Sequence, residues 1–503
     1  MSSAAVALTF VGIIVLCTIL FALYSVRRIS SSPEQFIVGG RSFGTLLLWI
    51  LMAGEIYTSF TFLGAAGWAY GRGAPALYIL AYGTVGYIVG FFFLPGIWRL
   101  GKDHGLLTAP DLYLLRYGSK RLSTTMALVQ ALLLIPYISL QLGGLQKLLT
   151  IAGYDHINAS IAVMIGFLLV TLFVFSAGLH GTAWASVIKD SLVLAAVLFA
   201  GIAIPMHFFG SIPVMMDRLL AAHPHWLTLK PGIAAQGEVW FISTVLLTGI
   251  GFFSGPQNMN ATFSARHGDA IRRNMIFLPL YQLILLFIFF AGFAALLIVP
   301  GSKDPDLSFM LLLQKYYPPW LVGAIAGAGA LAALLPASAL LLCAASLIAK
   351  NVLGDAMNIA TGDRPRVAAT RALILTFALL AMALWLAISP LTLVQILLYY
   401  YNGITQFMPG YVFALVWRER ITTAGVAAGL VAGFGVVFFF ALTGQLAWFG
   451  MNAGFVALAT NTIVCIGVSL VFPKTATGIE PPRDDGAGVV TADEARADLA
   501  GME

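Results

Sequence analysis

Glu55 lies near the middle of WILMAGEIYTSFTFLGAAGWAYG, Trp49 to Gly71, a stretch apolar enough to sit inside a bilayer, and no basic residue stands beside it. An ionised carboxylate at the centre of a membrane helix costs roughly 2.5–3.5 kcal/mol even on lenient insertion scales. A carboxyl group there holds its proton while closed off from water and releases it when a water-filled vestibule opens, as a proton carrier must. Two other roles fit the same residue: a permanently protonated acid bonded to a free carbonyl at a helix break, or a direct sodium ligand. Polar residues gather at two further places. Lys189 and Asp190 follow Ser186 at the start of an apolar run, and Gln257 and Asn258 follow Gly255 and Pro256. Gln141 and the series Tyr399, Tyr400, Tyr401, Asn402 and Gln406 also fall in apolar runs, where they line a cavity or bond helix to helix.

Enzymatic and metal chemistry find little support. The seven histidines show no H-E-x-x-H or Cys/His spacing, and His223 and His225 flank Pro224 in a loop. Cys17, Cys343 and Cys465 stand in separate apolar runs and read as packing residues, so no disulfide framework is expected. No phosphate-binding G-x-x-x-x-G-K-[ST] loop is present, so an ion gradient, not ATP, would drive any pumping.

The elements that hold these residues follow from composition. Of 503 residues 60% are hydrophobic and 10% charged, too little polar surface to cover a soluble globule. A helix needs about 20 apolar residues to cross a bilayer. That template predicts about thirteen spans, at 4–25, 42–70, 75–98, 122–152, 158–178, 183–209, 238–263, 270–299, 319–350, 367–389, 391–417, 421–443 and 450–472. Basic residues from Arg27 and Arg28 through Lys120 and Arg121 to Arg418 and Arg420 fall on one face. The other receives only Arg72, Lys147, Arg218, Lys230, Lys303 and Lys315, with Lys147 expected to snorkel. The N-terminus is therefore expected outside and the C-terminus inside. The net charge of +6 reflects this topology and does not point to nucleic acid. The tail 473–503, charged and rich in Gly and Ala, is expected to be disordered.

Breaks in a span are tolerated only where protein or a water-filled cavity covers the freed backbone. The second span carries Gly54, Gly64 and Gly67 around Glu55, Tyr57, Thr58 and Ser59, and the seventh carries Gly249, Gly251, Gly255 and Pro256. They stand five spans apart. Two halves that each begin with a broken helix form the signature of an inverted-repeat transporter. The fold expected is an all-α integral membrane protein with a five-plus-five inverted repeat. Residues 1–41 hold the first span and a loop, 42–209 the first repeat, 210–237 an outer loop, 238–417 the second repeat, 418–472 two further spans and 473–503 the tail.

FIVGGRSFG, TFLGAAGWAYGRGAP, LTAPDLYLLRYGSKR, GLHGTAWASVIK and RHGDAIRRN resemble the sodium:solute symporter family, which has a LeuT-type fold. PYISLQLGGL, AIRRNMIFLPLY and LLPASALLLCAASLIAKN look closest to its bacterial monocarboxylate permease branch. The resemblance implies a sodium ion held by the Gly54 and Tyr57 carbonyls and by two hydroxyls of the ninth span. The hydroxyl positions here are Pro336 and Ala337, leaving Ser338 to substitute and placing Glu55 between the two carbonyls. It also implies cation exit past Ser186, Lys189 and Asp190. Substrate is expected between the two breaks, at Thr58, Phe60, Gln141, Gln257 and Asn258.

The function expected is symport of a small organic solute, foremost a monocarboxylate, across a bacterial plasma membrane on a cation gradient, with the proton favoured. The partners are the solute, a proton or sodium, and membrane lipid. No cofactor is called for, sodium being the one ion the resemblance leaves open. Sodium-coupled uptake of an amino acid, sugar or vitamin is the alternative, with a transporter-like sensor and a channel as readings from other classes.

Overall fold

The computed structural model describes residues 2–25, 33–154, 156–231, 236–388, 391–417, 419–445 and 447–472. Arg27, Arg28, Arg418 and the tail 473–503 lie outside them. Among the described residues nine helices are long and apolar enough to cross a membrane, or ten if the bent pair Glu238–Gly251 and Pro256–Ser264 is one span. The other three expected spans are the second, fifth and eleventh, the sixth being among the nine as Gly181–Phe209. The second is divided into Thr45–Gly54, Phe60–Gly64 and Ala65–Arg72, and the eleventh into Leu393–Ile404, Thr405–Phe407 and Met408–Val416. The fifth and sixth share one run of helical backbone, Ala159–Leu198, prolonged by Phe199–Ala203 and Ile204–Phe209. Both ends of that run lie by the short helix Ser308–Tyr316. Gln314 donates to the Ile151 carbonyl just before the run, and the rings of Phe199 and His207 at its far end stand 5.5 and 6.1 Å from Tyr317. The segment before the run and its far end thus approach the same short helix.

The ninth span, Pro319–Leu347 with a π-helical extension Ile348–Gly354, is the axis of the bundle: 94% of its apolar window is buried. It packs against the first span Ser3–Ser25, the fourth Lys120–Ala152 and the run Ala159–Leu198. Small residues permit this, since a Cβ on Gly323 would strike the Ala7 backbone carbonyl. A two-stranded hairpin, Ala447–Trp448 with Met451–Asn452, joins the last two spans. It went unanticipated because its apolar residues continue the flanking hydrophobic pattern.

Lys147 does not snorkel. Its ammonium pairs with Asp304 at 2.6 Å and Asp306 at 2.9 Å, and Asp306 also accepts from the Leu393 amide that opens the eleventh span. A second cluster forms at the other end of the ninth span. There Lys350 pairs with Asp111 and, at 2.8 Å, with Asp355, while Asn351 donates to Asp111 at 2.7 Å. Asp111 also completes a capping box with Thr108 on the helix Ala109–Tyr117. Burial pushes the Asp111 carboxyl up, but the Lys350 ammonium and the amides of Leu107 and Thr108 outweigh it and hold it below its ordinary value. At Asp306 burial prevails over the pull of Lys147 and raises the carboxyl.

Candidate functional site

The second span loses helical geometry over Glu55–Thr58 and the seventh over Phe252–Gly255, where the expected breaks lie. Each interruption frees carbonyls that lipid cannot satisfy, and named side chains take them up. Thr61 Oγ1 donates to Ile56 O at 2.9 Å and accepts from the Thr58 amide at 2.8 Å. In the seventh span Asn258 Nδ2 donates to Phe252 O at 2.6 Å, and Ser254 Oγ to Gly251 O at 2.7 Å. Asn258 is thus committed to its own break.

Two further carbonyls of the first break, those of Gly54 and Tyr57, are taken by Lys189. Its ammonium donates to Gly54 O at 2.6 Å and to Tyr57 O at 3.3 Å, and pairs with Asp190 at 2.9 Å. The pair is held by charge, because neither Asp190 oxygen receives an aligned hydrogen bond among the described residues. Lys189 is fully buried. Gly54 permits the approach: a Cβ there would come within 3.1 Å of Ser186 Oγ and 3.3 Å of the Lys189 ammonium. Lys189, expected on an exit route, lies against the two carbonyls that the resemblance gives to sodium, paired with Asp190 and with Ser186 close by.

Sodium does not fit this arrangement. The two carbonyls already accept from an ammonium, and Pro336 and Ala337 bring no hydroxyl. Ser338 turns away, donating to Leu335 O of its own helix at 2.6 Å and lying 3.5 Å from Thr182 Oγ1.

Glu55 occupies the same break. Its Oε2 makes no hydrogen bond among the described residues. It lies within electrostatic reach of Lys189 and Asp190 on one side and of Tyr137, Tyr400 and Cys343 on the other. Those last groups lead to the seventh span. Tyr137 and Tyr400 are 4.8 Å apart, Tyr400 and Gln257 are 3.4 Å apart, and Asn260 donates to Cys343 Sγ at 3.2 Å. Gln141 accepts from Ser59 Oγ at 2.6 Å, which leaves its own amide donor without a partner among the described residues. Thr58 and Phe60 are buried in the same break.

Sequence reasoning missed the roles of Tyr137, Asn260 and Cys343. Tyr137 stood out only as part of a motif, and Cys343 read as packing. Above this centre a column of rings climbs from Tyr400 through Tyr401, Tyr82 and Tyr78 to Trp68 and Trp240, with neighbouring centroids 5.4 to 6.1 Å apart.

Known proteins agree with this architecture. The chain is 39% identical over 473 residues to the uncharacterized symporter YhjB of Bacillus subtilis, covering 92% of this chain and 96% of that one. It is 28% identical over 464 residues to a monocarboxylate transport permease protein of Rhizobium johnstonii, covering 88% and 91%. Among solved structures, a Na+-coupled sialic acid symporter in a substrate-bound outward-open state shares the fold with a TM-score of 0.78 at 16% identity, covering 93% of this chain and 98% of that one. That fold is LeuT-type. Residues 36–433 match the sodium:solute symporter family, a family of membrane transporters that move small molecules and not of enzymes, and the chain belongs to it.

Proposed function

We propose that the protein takes up a small organic monocarboxylate by alternating access coupled to the proton gradient, in a bacterial plasma membrane with its N-terminus outside. The observation that carries this reading is the Lys189 ammonium, 2.6 Å from Gly54 O, where the resemblance puts sodium. A charge carried on the protein bridges the break as a bound ion would. Glu55, within reach of the Lys189–Asp190 pair, is in this reading the carboxyl group that passes a proton between break and substrate space. The substrate class is supported by the named relative in Rhizobium johnstonii and by donors converging on the centre: the free amide of Gln141, Gln257 and the Tyr400 hydroxyl. Among the described residues named at this centre none is an arginine that could grip a second carboxylate.

Sodium-coupled uptake of another solute is the competing reading, favoured by the coupling named for the sialic acid symporter. The experiment that separates them is uptake of labelled pyruvate, lactate, acetate, proline and glucose into proteoliposomes, with proton and sodium gradients imposed separately. Monocarboxylate accumulation on a proton gradient without sodium is expected. Accumulation only with sodium, or only of proline or glucose, refutes the proposal.

A further inference from the structure

At the face that the charge pattern puts outside, a cavity of about 710 Å³ opens between the end of the second span and residues 222–231 with Gln236. Four basic side chains line it, Arg72, His223, His225 and Lys230, and no carboxylate stands among its described lining residues. Its floor is built onto the transport machinery. Trp226 Nε1 donates to Ala69 O at 3.0 Å, and Trp226 O accepts from the Ala74 amide at 2.7 Å. Gly73 makes the contact possible twice over: its φ is +69°, and a Cβ would lie 2.1 Å from Trp226 O. Trp226 is therefore tied at two points to the outer end of the broken second span.

Gln236 lines this cavity and also a narrow one of about 90 Å³, whose other walls include Trp68, Trp240, Leu398 and Asn402. Asn402 stands two residues from Tyr400, and its side-chain oxygen has no partner among the described residues. Gln236 itself holds a left-handed backbone, φ +60°, unusual for a residue with a side chain. Strain of this kind is kept where the surrounding structure fixes a residue in place.

We propose that the outer cavity is a capture site for small organic monoanions, which dock against Arg72 and Lys230 before passing Gln236 toward the central site. The inference rests on the monocarboxylate reading and deepens it. A site of one charge sign at the mouth of a pathway raises the local concentration of the opposite charge and speeds encounter, and salt screens the effect.

The test is the initial rate of labelled pyruvate uptake by the full chain in proteoliposomes, at low and at high ionic strength. The variants are Arg72→Gln with Lys230→Gln, the charge-keeping Arg72→Lys, and Lys303→Gln as an outer-face control that does not line the cavity. The expected result for the double variant is a KM raised on the order of 3–10-fold at low salt, converging on wild type at high salt, with the maximal rate unchanged. Arg72→Lys and Lys303→Gln should keep the wild-type KM. An unchanged KM in the double variant, an equal rise at both salt levels, a fall in maximal rate alone, or the same rise in Lys303→Gln overturns the capture site while leaving monocarboxylate transport intact. If the wild type takes up and binds none of pyruvate, lactate or acetate, the monocarboxylate reading fails and the capture site with it.

Discussion

Under the proposed proton coupling, replacing Lys189 with Ala should abolish accumulation and give the variant a sodium response that is not expected of the wild type. The ammonium makes hydrogen bonds of 2.6 and 3.3 Å to two break carbonyls and an ion pair of 2.9 Å with Asp190, all inside the protein. Breaking a buried pair by removing one partner costs roughly 3–5 kcal/mol, because the other charge stays buried. Two further carbonyls lose a charged donor, at about 1.5–3 kcal/mol each if the losses were independent, which for groups around one atom they are not. A loss of about 3–5 kcal/mol is therefore expected, large against the roughly 5–15 kcal/mol of a folded domain. The vacated space would be lined by Gly54 O, Tyr57 O, Ser186 Oγ and the Asp190 carboxylate, oxygen ligands for a hard cation. Sodium should then restore part of the lost stability by RT ln(1 + [Na+]/Kd), about 2.7 kcal/mol at a hundredfold excess over Kd. The assay is thermal unfolding in detergent across a sodium series with choline as the control ion, alongside pyruvate uptake in proteoliposomes. A variant that accumulates pyruvate normally, or a wild type stabilised by sodium as much as the variant, refutes the reasoning.

Glu55→Gln keeps shape and hydrogen-bonding capacity but cannot release a proton, so it should abolish accumulation while sparing substrate binding and exchange; normal accumulation would make Glu55 a structural acid only. Lys147→Met leaves Asp306 buried without its cation and should cost roughly 3–5 kcal/mol, and Lys147→Met with Asp306→Asn should recover much of it, a double-mutant cycle readable by thermal unfolding. Asp111 is held below its ordinary value chiefly because Lys350 outweighs burial. The stability it supplies is fully present above the unfolded carboxylate pKa of about 4 and is lost as pH falls through the lower folded value. Unfolding temperature should accordingly drop on the acid side of pH 4, and Asp111→Asn should flatten that limb.

The breaks and the central carboxylate were legible in the sequence because glycine, proline and charge inside an apolar run violate a composition that lipid enforces. Lys189 against the Gly54 and Tyr57 carbonyls was not. Its partners are main-chain carbonyls of a helix more than a hundred residues away, and a carbonyl carries no letter. A signal did exist: Pro336 and Ala337 had removed two sodium ligands, and a carbonyl pair left so exposed needs another cation. Lys189 was an apolar-run lysine whose only evident partner was its neighbour. The Gln257–Tyr400–Tyr137 path was hidden for the same reason, since each residue sits in a different span and aromatic side chains in membrane helices are ordinary.

The two ion-pair clusters suggest what a sequence search for repeats should weigh. Asp111 follows the end of the third span at Asp103, and Asp306 the end of the eighth at Ile298, by the same eight residues. Each pairs with a lysine of the other half, Asp306 with Lys147 toward the end of the fourth span and Asp111 with Lys350 at the end of the ninth. The ninth span runs from a start beside the Asp306 cluster to an end at Lys350, so the clusters stand on opposite faces of the membrane. Five spans apart and on opposite faces, they stand at matching places in the two halves of the proposed repeat, where a buried charge tolerates only its partner while apolar positions accept any side chain of fitting volume.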